Sequence, residues 1–329
     1  MSGIRPPAGA GSASGPVRFP LDLLYRAARM YYLEDANQAQ VAAALGTSRP
    51  TVSRLLAEAR TRGIVHIEVR EPQPALRAEL AATLVTALSL ARVRVTPTAN
   101  PGSEGSVLAP AVGEALAAAN LHPGDALLVS SGATVHAIAQ HPLADLPGVL
   151  VAPVVGGTDE PEEYYQTNEI TRQVAARVQG TPQFLYAPAR PGPDLHAILV
   201  DDPNIRRVTD LWATASAAVL GIGAPPSSRS SLPSVLPRDN VFLATAVGDI
   251  CTRPFDAQGS PIELPGSERL LAMRLEDVRR VPHTIGVAVG PVKAVGIIAA
   301  AQAGYITELV TDVPTALALL ERLGLQNAG

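Results

Sequence analysis

One stretch constrains the chain more than any other: Asn37–Val65, NQAQVAAALGTSRPTVSRLLAEARTRGIV. Val41, Ala42 and Leu45 form one apolar stripe at helical spacing, and Val52, Leu55 and Leu56 form another. Between the stripes lies Gly46-Thr47-Ser48. Gly46 suits the left-handed residue that stops a helix, Ser48 suits the N-cap of the next one, and Pro50 fits its first turn. Two short helices joined by a tight glycine turn make a helix-turn-helix. The second helix opens Arg49-Pro50-Thr51-Val52-Ser53-Arg54, with guanidiniums and hydroxyls on its leading turns and its apolar residues turned back toward the first helix. Such a helix can enter a major groove. The expected DNA-contacting set is Gln38, Thr47, Ser48, Arg49, Pro50, Thr51, Ser53 and Arg54. The alternative is a plain helical hairpin whose arginines are merely solvated. Turn chemistry, caps and polar face all favour the first reading.

Charge sets a limit on that reading. The net charge is −4 over 329 residues, so the chain as a whole does not attract a polyanion and any DNA contact is local. The local bias exists: Arg49, Arg54, Arg60 and Arg62 face only Glu58 across the second helix.

A length of 329 residues suggests two domains, and 47% hydrophobic residues are enough for a large core. Residues 1–18 read as a disordered tail; the first sixteen are dominated by Gly, Ser, Ala and Pro and lack the apolar run of a signal peptide. Residues 19–71 read as a winged helix-turn-helix domain. Leu21, Leu24, Tyr25, Ala28 and Tyr32 mark its first helix, and the alternation of Ile64–Arg70 marks the wing. The tyrosines are expected in the core. Glu71-Pro72-Gln73-Pro74 breaks the pattern, and residues 72–329 form the second domain. No stretch is apolar enough to span a membrane. The single cysteine, Cys251, excludes an intramolecular disulfide and a multi-cysteine zinc site, and fits a small buried residue in a reducing cytoplasm. The histidines have no metal-ligand spacing, and no cofactor is expected.

In the second domain a helix over 75–90 is followed by short β-branched runs alternating with helical patterns. Strands are expected at 126–130, 149–155, 183–187, 217–222, 244–247, 284–289 and 307–310. Helices are expected at 133–140, 168–179, 193–200, 203–213, 292–302 and 313–323, with Trp212 in the core. Alternating strand and helix implies an α/β fold with a parallel sheet covered on both faces. Several strands run into glycine (Gly132, Gly156-Gly157, Gly221, Gly223, Gly248, Gly290), and open α/β sheets bind ligands beyond the carboxyl ends of their strands.

Two parts of the chain resemble a known family. "VAAALGTSRPTVSRLLAEARTRGIVHIEV" looks like the DNA-binding segment of the SorC/DeoR-type sugar-binding transcriptional regulators. "AVGDI", "PFDAQG" and "IGVAVGPVKAVGIIAAAQAGYITELVTDVPTALALL" resemble their effector domain, which is Rossmann-like and similar in fold to sugar-phosphate isomerases and CoA transferases. The likeness covers nearly everything after residue 20. One departure is that Ala288-Val289-Gly290 precedes the lysine loop where the family usually has two glycines. The resemblance implies a transcriptional regulator rather than an enzyme, with operator DNA, a phosphorylated sugar and further copies of itself (a dimer or tetramer) as partners. An isomerase or deaminase carrying a DNA-binding head is the alternative.

The candidate effector-binding residues are Ser131, Gly132, Ala133, Thr134, Gln166, Asn168, Arg229, Asp249 and Lys293. The turn Ser130–Thr134 follows a strand and opens a helix, where free amides and hydroxyls favour a phosphate. Lys293 is the chain's only lysine against 25 arginines. A position that kept lysine calls for a compact charge or an imine-forming amine, neither of which arginine supplies. The resemblance makes Lys293 a ligand contact as well. Asp249 can bind sugar hydroxyls, pair with Lys293 or cap a turn. Arg229 can clamp a phosphate or be solvated. Gln166 and Asn168 match sugar-contacting positions of relatives, and capping is the competing role for both.

Overall fold

The computed structural model describes residues 19–65, 74–229, 235–236, 241 and 243–325. The expected tail and most of the expected wing lie outside them. Contacts divide the chain into two compact units, residues 1–71 and 72–329.

The first unit holds α1 (Leu21–Tyr32), α2 (Gln38–Ala44) and α3 (Arg49–Thr61). Its core is Leu24, Ala27 and Ala28 from α1, Val41 and Ala42 from α2, and Val52, Leu55, Leu56 and Ala59 from α3. The expected stripes of α2 and α3 are thus the buried faces. On α1 the buried face is narrower than its pattern suggests, since Leu21 and Tyr25 are exposed. Asn37 caps α2 through the amides of Ala39 and Gln40, both at 3.0 Å, and the Gln40 side chain returns the bond to the Asn37 amide. Gly46 sits at φ +63°, the left-handed conformation that ends α2 at little cost only in glycine. Ser48 caps α3: its Oγ accepts from the Thr51 amide at 3.4 Å and shares a hydroxyl bond of 2.9 Å with Thr51 Oγ1. Ser48→Ala is therefore expected to cost this unit about 1 kcal/mol, measurable as a lower denaturant midpoint at unchanged slope.

The second unit is a seven-stranded sheet whose pairings are all parallel. In chain order it runs α4 (Pro74–Leu88), β1 (Arg92–Thr96), α5 (Glu104–Ala118), β2 (Ala126–Val129), α6 (Ala133–Ala139), β3 (Leu150–Pro153), α7 (Thr167–Val178) and β4 (Thr181–Pro182). There follow α8 (Pro193–Asp201), α9 (Pro203–Thr214), β5 (Ala217–Gly221), the hairpin β6 (Gly248–Ile250) and β7 (Arg253–Phe255), and α10 (Leu275–Val278). The chain closes with β8 (His283–Val287), α11 (Ala294–Gln302), β9 (Glu308–Asp312) and α12 (Val313–Arg322). The strand order is β1-β9-β8-β5-β2-β3-β4. Successive residues of β2 go to opposite cores: Ala126 and Leu128 join the cluster holding α4, α11 and α12, while Leu127 and Val129 join that of α5, α6 and α7. Burial on both faces is why the strand reads as an unbroken apolar run.

Two expected strands are not in the sheet. Thr181–Pro182 pairs with β3, and the Gln183 amide adds a last bond to the Val151 carbonyl at 2.7 Å. Beyond it the Asn168 side chain takes over the backbone of Leu185, accepting from its amide at 3.0 Å and donating to its carbonyl at 3.2 Å, so 183–187 runs as irregular chain. Residues 243–245 form a turn closed by the Ala246 amide donating to Leu243, the Val247 amide donates to the Phe255 carbonyl at 3.0 Å, and the strand itself begins at Gly248, in an antiparallel hairpin apart from the main sheet. The pattern did not announce β1, α5, β4, β7 or α10, and the first two show why. β1 is an edge strand with arginines in alternate positions. α5 contains Pro110 and two glycines, residues that disfavour a helix interior. Tertiary contact overrides them there, since Gly105 lies so close to the Ala137 backbone that a Cβ would overlap it.

Candidate functional site

The leading turns of α3 present an open polar face. Arg49, Ser53 and Arg54 are exposed, as are Ser48 and Pro50, whereas Gln38, Thr47 and Thr51 are half-buried. The Ser48 and Thr51 hydroxyls bond each other, so both serve the cap. Glu58 is taken by Arg62 at 2.5 Å. Arg49, Arg54 and Arg60 then make no ion pair among the described residues, which leaves three guanidiniums for an external anion.

The second unit has a pocket of about 240 Å3 at the carboxyl ends of its central strands. The neighbours β2, β5 and β8 each run into a loop that contributes: Ser130–Val135 after β2, Gly221–Ala224 and Arg229 after β5, and Lys293 after β8. After β2 the chain moves outward through β3 to β4; after β5 it moves the other way, to β8 and β9. The pocket therefore sits where the winding reverses, the place where open α/β sheets leave a crevice.

One part of its lining is the start of α6. Gly132, at φ +117°, gives its amide to the Tyr164 carbonyl at 2.8 Å. The first intrahelical bond is from His136 to the Gly132 carbonyl, so the amides of Ala133, Thr134 and Val135 precede it on the pocket's lining. The Ser131 and Thr134 hydroxyls stand beside them. Ser130, by contrast, is structural: its Oγ accepts from the Gly221 amide at 2.8 Å, tying β2 to β5.

Opposite lie Arg229, Asp249 and Lys293. Arg229 pairs with Asp249 and donates through Nε to the Ala224 carbonyl at 2.8 Å. Asp249 sits within β6 and pairs with Arg229, not with Lys293. Burial pushes the Lys293 ammonium down to about 8; the Arg229 charge pushes the same way and Asp249 opposes. Two cations and one carboxylate leave a local excess of positive charge, suited to an anionic ligand. Gly223 makes the arrangement fit, because a Cβ there would overlap both the Arg229 guanidinium and the Asp249 carboxylate. Gly223→Ala is expected to displace that pair and weaken anion binding about tenfold or more, roughly 1.4 kcal/mol, read by titration calorimetry.

Gln166 and Asn168 do not line the pocket. Gln166 donates to the Glu160 carbonyl at 2.6 Å, and Asn168 holds Leu185. Reading the sequence missed Tyr164 and Tyr165, whose rings meet at 4.6 Å with a 51° tilt, and Cys251-Thr252, all of which line the pocket. The doubled tyrosine behind an acidic loop was the available signal. Cys251 and Thr252 both have positive φ, which makes a tight two-residue turn between β6 and β7. Burial pushes the Cys251 thiol up to about 12, so it stays a protonated packing group. A larger cavity of about 470 Å3 elsewhere in the unit is lined by Arg190 and Arg253. Those guanidiniums are spent on backbone carbonyls, Arg253 on Met273, Leu270 and Ala272 and Arg190 on Val235 and Pro265. Among the described residues no group of three acidic, histidine or cysteine side chains is placed to hold a metal, and no helix is long and apolar enough to cross a membrane.

A helix-turn-helix unit and an α/β unit with an anion pocket at its switch point define the class of ligand-responsive DNA-binding regulators. The sugar-binding domain family matches residues 73–321. The sorbitol operon regulator of Klebsiella pneumoniae is 28% identical over 316 residues, covering 91% of this chain and 98% of that protein. The deoxyribonucleoside regulator of Bacillus subtilis is 31% identical over 307 residues, covering 92% and 98%. The crystal structure of the full-length Klebsiella sorbitol operon regulator SorC superimposes with a TM-score of 0.72 at 28% identity, over 92% of this chain and 99% of that one. The chain belongs to the SorC family of sugar-binding transcriptional regulators.

Proposed function

We propose that this protein controls a carbohydrate operon, binding operator DNA through α3 and responding to a phosphorylated sugar in the pocket of the second unit. Residues 19–71 act as the winged DNA-binding head, and residues 72–329 carry effector binding and self-association. The observation that carries the reading is the pocket itself, where the start of α6 lines one cavity of about 240 Å3 together with Lys293 and Arg229. That volume and charge suit a small phosphorylated sugar. The relatives named for sorbitol and deoxyribonucleoside operons support the carbohydrate theme.

Repression is the favoured mode, with the effector releasing DNA. The linkage is thermodynamic: a sugar phosphate that binds one arrangement of subunits better than another shifts the population that grips the operator. Such a regulator works in the cytoplasm, where its DNA is. The enzyme alternative would rest its acid–base work on Asp249 and Lys293, and of the two Asp249 is held by Arg229. The relatives are named as regulators, which also favours sensing over catalysis.

Thermal unfolding across a panel of sugar phosphates tests the proposal. A ligand present at about 100 times its Kd is expected to stabilise by about 2.7 kcal/mol, and the matching unphosphorylated sugar far less. If no phosphorylated sugar raised the melting temperature, the effector assignment would be wrong even with operator binding intact.

A further inference from the structure

The end of β9 and the first turn of α12 bond to the loop that carries Lys293. Thr311, Asp312 and Thr315 are polar, yet each is buried, at 3% exposure or less. Buried polar groups need partners. The Thr311 hydroxyl donates to the Ala288 carbonyl at 2.7 Å. The Gly290 amide donates to Thr315 Oγ1 at 2.8 Å. That hydroxyl gives its own proton to Asp312 Oδ1, which also accepts from the Thr315 amide at 3.2 Å, while Oδ2 accepts from the Ala99 amide at 3.1 Å. A hydroxyl has one proton, so with that proton on the carboxylate side its oxygen can only accept, and it meets the Gly290 amide in that role. Capping α12 requires only the bond from the Thr315 amide to Asp312. The relay from Asp312 through the Thr315 hydroxyl to Gly290 lies beyond that need.

We infer that Thr315, oriented by Asp312, is a positioning residue of the effector pocket: it pins the loop 288–293 at the Gly290 amide and so sets where the Lys293 ammonium stands. Gly290, at φ +111°, is a joint with no side chain to restrict it, and the ring of Pro291 fixes the next φ. The anchor therefore falls on the one residue of the loop best able to swing. Gly290 is held at its amide by Thr315 and accepts at its carbonyl from the Lys293 amide at 3.0 Å, which places the lysine one turn from the anchor. Neither Thr315 nor Asp312 lines the pocket, so both act through the loop. The inference rests on the pocket being the effector site, and adds the part of the fold that shapes it.

The test uses the chain's only lysine. Full-length protein made with lysine isotope-labelled at Cε gives one lysine side-chain NMR signal, and its pH titration reads the surroundings of Lys293 directly. The wild-type midpoint is expected at about 8, held down by burial and Arg229 against the opposing Asp249. Thr315→Val keeps the β-branched shape and removes the hydroxyl. It should release the loop, let the ammonium reach water, and move the midpoint up by about one unit or more toward the ordinary value. Arg229 and Asp249, and the Tyr164, Tyr165 and Cys251 that share the pocket, are unchanged by the substitution. Thr315→Ser restores the hydroxyl and should restore the wild-type midpoint. Inorganic phosphate, titrated by calorimetry below pH 8, should bind Thr315→Val about fivefold more weakly and Thr315→Ser as it binds the wild type. Phosphate binding to none of the three would remove the effector reading, while the lysine titration would still decide this one. If Thr315→Val does not fold, hydrogen exchange in the wild-type chain decides: the Gly290 amide should exchange as slowly as core amides. Exchange at the rate of an open loop, or a Thr315→Val chain that melts lower but keeps the wild-type lysine midpoint, overturns the assignment.

Discussion

Arg54→Ala is expected to weaken operator binding by about 1–3 kcal/mol if its guanidinium reads a base edge, and less if it only meets a phosphate. The expectation rests on position. Arg54 lies nearly two turns beyond the N-cap Ser48, on the exposed side of α3, while Val52, Leu55 and Leu56 anchor the opposite side in the core. Removing it therefore leaves the fold of the head alone. Arg49 stands at the first position of α3, where a guanidinium meets the backbone before the bases. Arg49→Ala should then lower affinity evenly across operator variants and flatten the salt dependence by about one phosphate contact. Arg62→Ala is the internal control, since its guanidinium is already committed to Glu58. Gel-shift titrations at two salt concentrations separate these cases. Wild-type affinity in both Arg49→Ala and Arg54→Ala would remove α3 as the recognition helix.

How much of this was legible beforehand depended on how local the determinants are. The helix-turn-helix could be read to the residue because each decision in it is short-range: the left-handed Gly46, the Ser48 cap, the apolar stripe of α3. The central strands were equally plain, since burial on both faces leaves only apolar residues in β2 and β5. What failed was decided at a distance. Residues 183–187 have strand-forming side chains, but Asn168, seventeen positions before Leu185, claims the backbone at Leu185 and the ladder stops short of it. α5 is hidden by Pro110 and its glycines, whose reason is the close approach of α6. The pocket divides in the same way. Lys293 stood out by composition, and the turn at Ser131–Thr134 by its strand-to-helix context. The Arg229–Asp249 pair crosses twenty positions, and Tyr164 reaches Gly132 only through a backbone bond; no periodicity encodes either.

Lys293→Ala is expected to abolish the effector response while leaving operator affinity unchanged. Lys293 lies in the second unit and α3 in the first, so DNA contact does not require it. Within the pocket it is the cation not committed to a carboxylate, because Arg229 already holds Asp249. Lys293→Arg should rescue poorly: the guanidinium is larger, and Arg229 beside it would add to the repulsion. The pH dependence follows from the same geometry. Burial and the Arg229 charge hold the Lys293 ammonium at about 8, below its ordinary value. A bound phosphate favours the charged form, so binding takes up a proton once the amine is neutral. Below about pH 8 the ammonium is already present and affinity is insensitive to this group; above it, affinity should fall by up to about tenfold per pH unit until the complex itself loses the proton. Lys293→Ala should bind weakly at every pH and lose that slope. Titration calorimetry between pH 6.5 and 9.5, in buffers of different ionisation enthalpy, reads both affinity and proton uptake. An affinity that stays flat across that window in the wild-type chain, or a wild-type effector response in Lys293→Ala, would take Lys293 out of the site and leave the amides of α6 with Arg229 as the anion-binding end of the pocket.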